Sequence, residues 1–297
     1  MKNAVIAVLC FLSACAGGSE PQPVQTLHSA PAAPAAADDQ QIFEATIARA
    51  RRERLDTLPI GEVVARVGSW FVGAPYVPAT LEAPGAESLV VNLREFDCVT
   101  YVESMLALAR VIRSGQSSFA DFKNQLRTIR YRSGKLGPYP TRLHYFSDWI
   151  VDNHSKGVVQ DKTRELGGVV DPEPIDFMTQ HRKYYRQLAD SGFFHTVRAQ
   201  EADLSKRARY MIPELQIDAV AARIKNGDVI AATSSVRGLD IAHTGLALWR
   251  GGQLHLMHAP LIGDSVEISE NPLAERVVFI ERQDGIMVAR PREPRGN

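Results

Sequence analysis

The sequence predicts an α+β fold in which amphipathic helices come first and an antiparallel sheet follows. Two observations carry this expectation. Apolar residues recur at helical spacing through the first half of the chain, and a Gly-Gly pair joins two apolar runs near residue 250. A globular composition extends from about residue 40 to residue 297, which is long enough for one domain with its own core.

The first 39 residues have the composition of an export signal and a linker. Lys2 precedes an apolar run over residues 4–12, which predicts a signal peptide over residues 1–14 that is too short to span a membrane. Leu12-Ser13-Ala14-Cys15 resembles a bacterial lipobox, which implies cleavage before Cys15 and a lipid on its sulfur. Ordinary cleavage without a lipid is the alternative. Residues 15–39 are rich in Ala and Pro and are expected to form a flexible tether.

The expected location is the cell envelope, with a lipid anchor and the domain facing the periplasm. Ala16, rather than an Asp, follows the lipobox cysteine, and this pattern resembles lipoproteins sent to the outer membrane. Basic and acidic residues balance at 34 each, so nucleic acid is not an expected partner. No Cys-x-x-Cys or His-Glu-x-x-His spacing occurs, so neither a metal nor a cofactor is expected. No oligomer signal stands out, and a monomer is expected.

Of the three cysteines, only Cys98 falls in the globular region. Cys10 lies in the signal and Cys15 would carry the lipid, so Cys98 is a lone thiol in an oxidising compartment. Asp97 is a good N-cap, which places Cys98 in the first turn of a helix, where free N–H groups stabilise a thiolate. We therefore expect a nucleophile with a lowered pKa; a buried, inert cysteine is the alternative.

Hydrophobic periodicity predicts the remaining elements in order. Helices are expected over residues 41–55, 60–71, 98 to about 113, and 119 to about 130, with an extended loop between the second and third. Residues 142–150 are expected to be helical and are dense in polar side chains, which form either a pocket wall or a solvated face. Residues 155–215 are mixed, with one helix at about 176–188. The interval 114–216 is thus expected to be a large, mostly helical insertion.

The second half of the chain predicts a hairpin. A helix over residues 217–224 leads through a turn into a strand from residue 229, and the hairpin strands at 241–249 and 254–260 meet at Gly251-Gly252. In that register Trp249 faces Leu254, and Gly245 faces His258. His243 and His258 then share a face and can touch diagonally, whereas His255 points to the other face.

A cysteine at a helix start and two histidines on neighbouring strands are typical of a papain-like arrangement. His243 would accept the thiol proton and Cys98 would attack a carbonyl carbon. His258 would hold the tautomer of His243. A purely structural role is the alternative for each histidine.

Several motifs resemble, in order, those of the NlpC-type papain-like cell-wall hydrolases. These motifs are Gly73-Ala74-Pro75-Tyr76-Val77, Phe96-Asp97-Cys98, Asn226-Gly227-Asp228-Val229, His243-Thr244-Gly245-Leu246-Ala247-Leu248 and Met257-His258-Ala259-Pro260. The spelling Phe96-Asp97-Cys98-Val99-Thr100-Tyr101-Val102-Glu103, together with residues 75–82 and 143–150, resembles the N-acetylmuramoyl-L-alanine amidase-like branch. The resemblance covers about residues 60–285.

This resemblance implies a Cys98 helix packed on a curled antiparallel sheet or small barrel. It also implies hydrolysis of the amide between N-acetylmuramic acid and L-alanine in peptidoglycan. Cys98, His243 and His258 match the triad by position, and Tyr76 matches a tyrosine beside the oxyanion site, although a packed aromatic is the alternative. The long interval between Cys98 and His243 departs from the common pattern and is the expected source of substrate choice. The pocket candidates are Arg142, His144, Tyr145 and Asp148.

Two other functions remain open from the sequence. The same side chains would serve an endopeptidase that cuts within the stem peptide of peptidoglycan. A lipoprotein that binds the wall without catalysis is the third possibility, although such a module has no need for Cys98, His243 and His258 together.

Overall fold

The computed structural model describes residues 38–261 and 263–294 of the chain. The predicted signal peptide, the lipid site at Cys15 and nearly all of the tether lie outside these described residues. The first helix, α1 (Asp39–Arg52), begins one residue before the expected domain boundary. Its start is fixed by Asp38, whose carboxylate accepts a hydrogen bond from the Gln41 N–H at 2.8 Å.

The next three helices confirm the expected pattern. They are α2 (Ile60–Ser69), α3 (Cys98–Arg113) and α4 (Phe119–Arg130). α3 lies at the centre of the main core, so nearly its whole circumference is buried. Even Glu103, a charged residue of α3, is buried. Its carboxylate is 2.6 Å from Arg130 Nε and also accepts a hydrogen bond from the Trp149 indole. A rigid helix of this kind holds its first turn in place.

The helix expected over residues 142–150 begins later than the sequence indicates. The observed helix, α5, runs from Phe146 to Ser155. Arg142 instead forms a β-bridge with Tyr131, and Tyr145 has the extended backbone of an N-cap. The prediction is therefore wrong for residues 142–145, because pairing with a distant segment outweighed local helical preference.

The insertion contains three strands as well as helices. Strands β1 (Val159–Asp161) and β2 (Val169–Asp171) precede the short helix α6 (Phe177–Gln180). The single helix expected over 176–188 is wrong. After α6 come two 3₁₀ turns, and the long helix α7 (Ser191–Ser205) starts at the Asp190 cap. Strand β3 (Arg209–Pro213) and the short helix α8 (Ile217–Ala221) complete the region, and α8 ends before the expected residue 224.

The remaining elements form most of the sheet. They are β4 (Val229–Ser234), β5 (Ile241–Arg250), β6 (Gln253–His258), β7 (Glu267–Ile268), helix α9 (Leu273–Phe279) and β8 (Gln283–Pro291). The sheet has eight strands in the order β2-β3-β8-β4-β5-β6-β7, with β1 also paired to β8. All these pairs are antiparallel, and the sheet is open rather than closed into a barrel.

The hairpin register is confirmed. Leu248 pairs with His255 and Trp249 with Leu254, around a turn in which Gly251 and Gly252 both have positive φ. The two faces of the sheet are covered by different helices. Leu246 and Met257 share the main core with α2 and α3, whereas Ala247 and Leu256 pack with Leu273 and Val277 of α9 on the other side. Within the described ranges, no helix is both long enough and apolar enough to cross a membrane.

Candidate active site

Cys98 is the first residue of α3, as expected, and its position is fixed by a reciprocal cap. The Asp97 carboxylate accepts from the Thr100 N–H at 2.8 Å, and the Asp97 N–H donates to the Thr100 hydroxyl at 2.9 Å. Cys98 is partly exposed and forms no disulfide. Its own N–H belongs to the first turn, which has no intrahelical partner for it. The helix therefore presents the thiol together with a backbone N–H that has no intrahelical partner.

The expected fall in the Cys98 pKa is wrong for this structure. Burial of the sulfur and the nearby negative charge of Asp97 raise the pKa of the Cys98 thiol to about 12. Hydrogen bonds from the backbone and the hydroxyl of Thr244 lower it, but they are the smaller effect. The carboxylate that caps the helix thus opposes the thiolate that the helix N-terminus favours. The raised pKa favours the neutral thiol of Cys98 at pH 7 in the ligand-free protein.

The two histidines of the hairpin contact each other as the register predicts. His243 Nε2 lies 2.9 Å from His258 Nδ1, and the rings are nearly perpendicular with centroids 4.8 Å apart. Burial lowers the pKa of both, to about 3 for His258, and the charge of Arg276 acts in the same direction. Both rings are therefore neutral at pH 7, and one must donate while the other accepts. His255 points away and pairs with the Ser269 carbonyl oxygen at 2.9 Å.

Thr244 connects Cys98 to the histidine pair. Its hydroxyl donates to the Cys98 carbonyl oxygen at 2.9 Å, so the start of α3 is held against β5 one residue from His243. Among the described residues, no hydrogen bond joins the Cys98 sulfur to the His243 ring. Catalytic hydrogen bonds are often long in ligand-free structures and shorten only with substrate bound. The sequence analysis assigned no role to Thr244, although it belongs to the motif that follows His243.

Two further charged residues border the histidines and were missed by the sequence analysis. Glu267 pairs with His258 across β6 and β7, and its Oε1 is 3.6 Å from His258 Nε2, a buried nitrogen without a hydrogen bond in the described structure. Burial lowers the pKa of Arg276 on α9, and electrostatic coupling links its guanidinium to both histidines and to Cys98. The guanidinium is thus within electrostatic range of all three. The sequence analysis missed Glu267 and Arg276 because it predicted neither β7 nor α9, the elements that carry them.

Tyr76 lies beside the start of α3. It forms a parallel bridge with Phe96, and its N–H donates to the Asp264 carbonyl at 2.9 Å. The Val77 N–H donates to the Phe96 carbonyl, so this segment follows the chain that leads into Cys98. The side chain is half-buried against the main core. The predicted position next to the helix start is thus observed, whereas the oxyanion role stays a prediction.

The four pocket candidates each have partners inside the protein. Arg142 donates to Glu82 Oε1 at 2.6 Å and to the Leu81 carbonyl, while His144 Nε2 is 2.9 Å from the Tyr139 carbonyl oxygen. These partners hold loops together. The Tyr145 hydroxyl donates to Glu201, and Asp148 accepts from Arg132 and Arg207. The substrate-binding role of these four residues stays a prediction.

Comparisons with known proteins indicate a hydrolase of the amidase-like class. The AmiA-like family, described as N-acetylmuramoyl-L-alanine amidase-like, matches residues 66–286. The chain belongs to this family. A search of curated protein sequences finds no match.

Several solved structures are similar. An N-acetylmuramoyl-L-alanine amidase from Bacteroides uniformis is 34% identical, with a TM-score of 0.74 over 79% of this chain and 99% of its own. A Bacteroides fragilis protein provisionally described as a xylanase is also 34% identical, with a TM-score of 0.71 over 75% of this chain and 98% of its own. A Legionella pneumophila protein at 22% identity and a TM-score of 0.61, over 85% of this chain and 96% of its own, shares the fold.

Proposed function

We propose that the protein is a cysteine hydrolase that cleaves the amide between N-acetylmuramic acid and L-alanine in peptidoglycan. Cys98 is the nucleophile, His243 the base and His258 its orienting partner, in an NlpC-type papain-like active site. The observation that carries the proposal is the 2.9 Å contact between His243 Nε2 and His258 Nδ1, next to the Thr244 bond to Cys98. The family and the Bacteroides uniformis amidase support the choice of bond.

The histidine contact determines which nitrogen is the base. If His243 Nε2 carries the proton and donates to His258 Nδ1, then His243 Nδ1 has a free lone pair for the thiol proton. His258 must then carry its own proton on Nε2, which faces Glu267 Oε1 at 3.6 Å. The carboxylate favours this tautomer, so Glu267, His258 and His243 form an ordered chain. Glu267 acts as a positioning residue.

The chemical step starts from neutral groups. The Cys98 proton moves to His243 as the sulfur attacks the carbonyl carbon of the muramoyl lactyl group. The negative oxygen of the tetrahedral intermediate faces the Cys98 N–H, with Tyr76 as the second donor. His243 then gives its proton to the departing nitrogen of L-alanine, which leaves a thioester on Cys98. Water activated by His243 hydrolyses the thioester and restores the thiol.

The raised pKa of Cys98 affects this mechanism. Since the thiol has a pKa of about 12 and both histidines have lowered values, a preformed thiolate–imidazolium pair is unfavourable in the empty site. Proton transfer is therefore coupled to attack, and substrate binding must bring sulfur and imidazole together. An idle nucleophile that is neutral also resists oxidation outside the cytoplasm.

We also propose that a lipid on Cys15 holds the enzyme on the outer membrane, facing the periplasm. A tether of roughly 25 residues has a typical reach of about 25–30 Å, which allows the domain to act near the membrane. Peptidoglycan or its fragments would be the substrate.

The test is digestion of purified peptidoglycan and of soluble muropeptides by the reduced protein, with products identified by mass. Release of intact stem peptides that begin with L-alanine is the expected result. Cuts within the stem would replace the amidase with an endopeptidase. No product from folded protein would exclude both hydrolases and leave a wall-binding lipoprotein. The Cys98→Ala variant should be slower by about a thousandfold or more, with an unchanged circular dichroism spectrum.

A further inference from the structure

Thr244 of β5 contacts Cys98, and its residue surface is only 2% exposed. Its hydroxyl donates to the Cys98 carbonyl oxygen at 2.9 Å, which holds the first turn of α3 against the sheet. Burial raises the pKa of the Cys98 thiol, and hydrogen bonds from the Thr244 N–H and hydroxyl act against this rise. One buried residue therefore directs two donors at the sulfur.

The sheet register explains why the Thr244 N–H is available for this contact. The Ala247 N–H donates to the Asp228 carbonyl oxygen at 2.8 Å, so Ala247 faces the β4 side of β5. Because successive residues of a strand alternate between the two flanking strands, the N–H of Thr244, three residues away, points toward β6. The last pair of the β5–β6 ladder is Leu246 with Met257. The Thr244 N–H lies beyond that end, where α3 begins against β5.

The donors of Thr244 differ from the donor already assigned at this site. In the proposed mechanism the Cys98 N–H faces the oxygen of the tetrahedral intermediate, so it does not serve the sulfur. Asp97 opposes a negative sulfur, because its charge raises the pKa of the thiol in addition to burial. The Thr244 hydroxyl is 2.9 Å from the Cys98 carbonyl oxygen at rest, and it needs only to turn its hydrogen to donate to the sulfur instead.

We propose that Thr244 is a further catalytic residue, whose N–H and hydroxyl stabilise negative charge on the Cys98 sulfur. In the second half of the reaction, water gives a proton to His243 as its oxygen bonds to the thioester carbon. The carbon–sulfur bond then breaks, and its electron pair stays on the sulfur. The Thr244 donors stabilise this pair until the proton on His243 moves to the sulfur. This inference rests on the proposed function, because it assigns a role within that reaction.

Alkylation of Cys98 by iodoacetamide measures the thiolate without any substrate, and mass spectrometry locates the label. Thr244→Val removes the hydroxyl and keeps the N–H. Losing a hydrogen bond lowers the thiolate fraction, while a more basic thiolate reacts faster, so the net rate at about pH 8 should fall about three- to tenfold. Thr244→Ala, which makes more room for the reagent, should also be slower. Thr244→Ser, which retains the hydroxyl, should stay within about twofold of the unsubstituted protein.

The matched control is Thr46→Val on α1. The Thr46 hydroxyl also donates to a backbone carbonyl oxygen, that of Ile42 at 2.8 Å, and Thr46 is likewise buried. This variant should leave the alkylation rate of Cys98 unchanged. Equal rates for Thr244→Val and the unsubstituted protein would overturn the inference, and so would faster alkylation of Thr244→Ala.

Cleavage of muropeptides separates this inference from the proposed function. Thr244→Val should lower kcat about tenfold and preserve KM, because the donors act on the sulfur and not on the bound substrate. Thr244→Ser should recover most of the loss. A normal kcat in Thr244→Val would refute the role of Thr244 alone. The absence of cleavage by the folded, unsubstituted protein would refute the proposed function, while the alkylation rates would still test the contact with the sulfur.

Discussion

Cys98 combines a helix N-terminus, which favours a thiolate, with burial and an adjacent carboxylate, which oppose it. Asp97 is needed as the cap, yet its charge is the second largest cause of the raised thiol pKa. The same residue thus fixes the position of the Cys98 thiol and opposes its ionisation. On the proposed mechanism, the site becomes active only when substrate brings His243 close to the Cys98 sulfur.

The raised pKa predicts slow alkylation of Cys98 by iodoacetamide at pH 7. The thiolate is the reactive form, and a pKa of about 12 makes it scarce, so the rate should rise about tenfold per pH unit up to at least about pH 10. Mass spectrometry of the mature protein over a pH series measures this rate. A plateau below about pH 8 would instead indicate a preformed thiolate–imidazolium pair.

The two histidines of strand β6 should differ sharply when substituted. His258→Ala removes the partner of His243 and should lower kcat on muropeptides by about a hundredfold or more. His255→Ala breaks only the contact with the Ser269 carbonyl, so activity per folded molecule should change little. Kinetics on both variants, normalised to folded protein, give the comparison. Equal losses would mean that His258 has no special part in the reaction.

At the scale of elements, the hairpin β5–β6 brings the histidines together because Gly245 lies between them. A Cβ on Gly245 would be 2.9 Å from the His258 Cβ and 2.8 Å from the Leu256 side chain, closer than real Cβ contacts. The glycine is required by space rather than by its backbone conformation. β5 and β6 can therefore approach only with glycine at this position.

Gly245→Ala should accordingly destabilise the protein by about 1–3 kcal/mol and separate the histidine rings. Urea unfolding measures the first effect, and the loss of muropeptide cleavage in the fraction that stays folded measures the second. Unchanged unfolding together with unchanged kcat would show that the hairpin relaxes at no cost and that the tight packing has no role.

The loop that leads into α5 carries His144, a partly buried histidine that predicts acid sensitivity. Burial and the Arg142 charge lower the pKa of His144 from 6.5 to about 3. Between these values the unfolded chain binds a proton that the folded chain does not, so stability present above pH 6.5 is lost as the pH falls toward 3. The lowered pKa values of His243 and His258 act in the same direction.

His144→Gln should therefore flatten the pH dependence of stability. The slope of the unfolding free energy against pH, between about pH 4 and 6, should fall by up to about 1.4 kcal/mol per pH unit. This is the slope that one proton, bound only by the unfolded chain, contributes. Denaturant unfolding at several pH values measures it. The matched control is His195→Gln, since His195 is exposed on α7. Identical slopes in the two variants would contradict the assignment.

At the scale of the whole molecule, the sheet separates two hydrophobic cores, one on each of its faces. One face packs on α2 and α3 and holds the nucleophile helix, while the other packs on α9 and Ile217. A third cluster, which includes Tyr139, Phe177, Leu188 and Val197, belongs to the insertion. The helix that begins at Cys98 and the insertion are thus packed in separate hydrophobic clusters of the same domain.

The anchor should affect the location of the enzyme and not its chemistry. Cys15→Ser removes the proposed lipid site, so the protein should appear in the soluble periplasmic fraction instead of the membrane fraction. Activity of the purified domain on soluble muropeptides should be unchanged. Membrane fractionation and a mass measurement of the mature N-terminus test this, and an unmodified N-terminus in the unsubstituted protein would rule out the lipid.

Much of the site was predictable because it depends on local rules. The capping residues Asp97 and Thr100 fix the start of α3, and the period of two along the strands, with a Gly-Gly turn, brings His243 to His258. The helix predicted over residues 176–188 is instead the short α6 followed by two 3₁₀ turns. The strands of the insertion were missed because side-chain spacing cannot reveal pairing with distant segments. The strands β1 to β3 are short, and their backbone partners lie far away in sequence.

The sequence by itself determined the helical first half, the hairpin register and the lone thiol at a helix start, since each follows from neighbours along the chain. Only the tertiary structure decided that the pKa of Cys98 is raised, that Glu267 and Arg276 border the histidines, and that Arg142 and Asp148 are engaged by internal partners. These properties depend on burial and on charges brought together from separate elements. Desolvation and long-range contacts act only once the chain has folded.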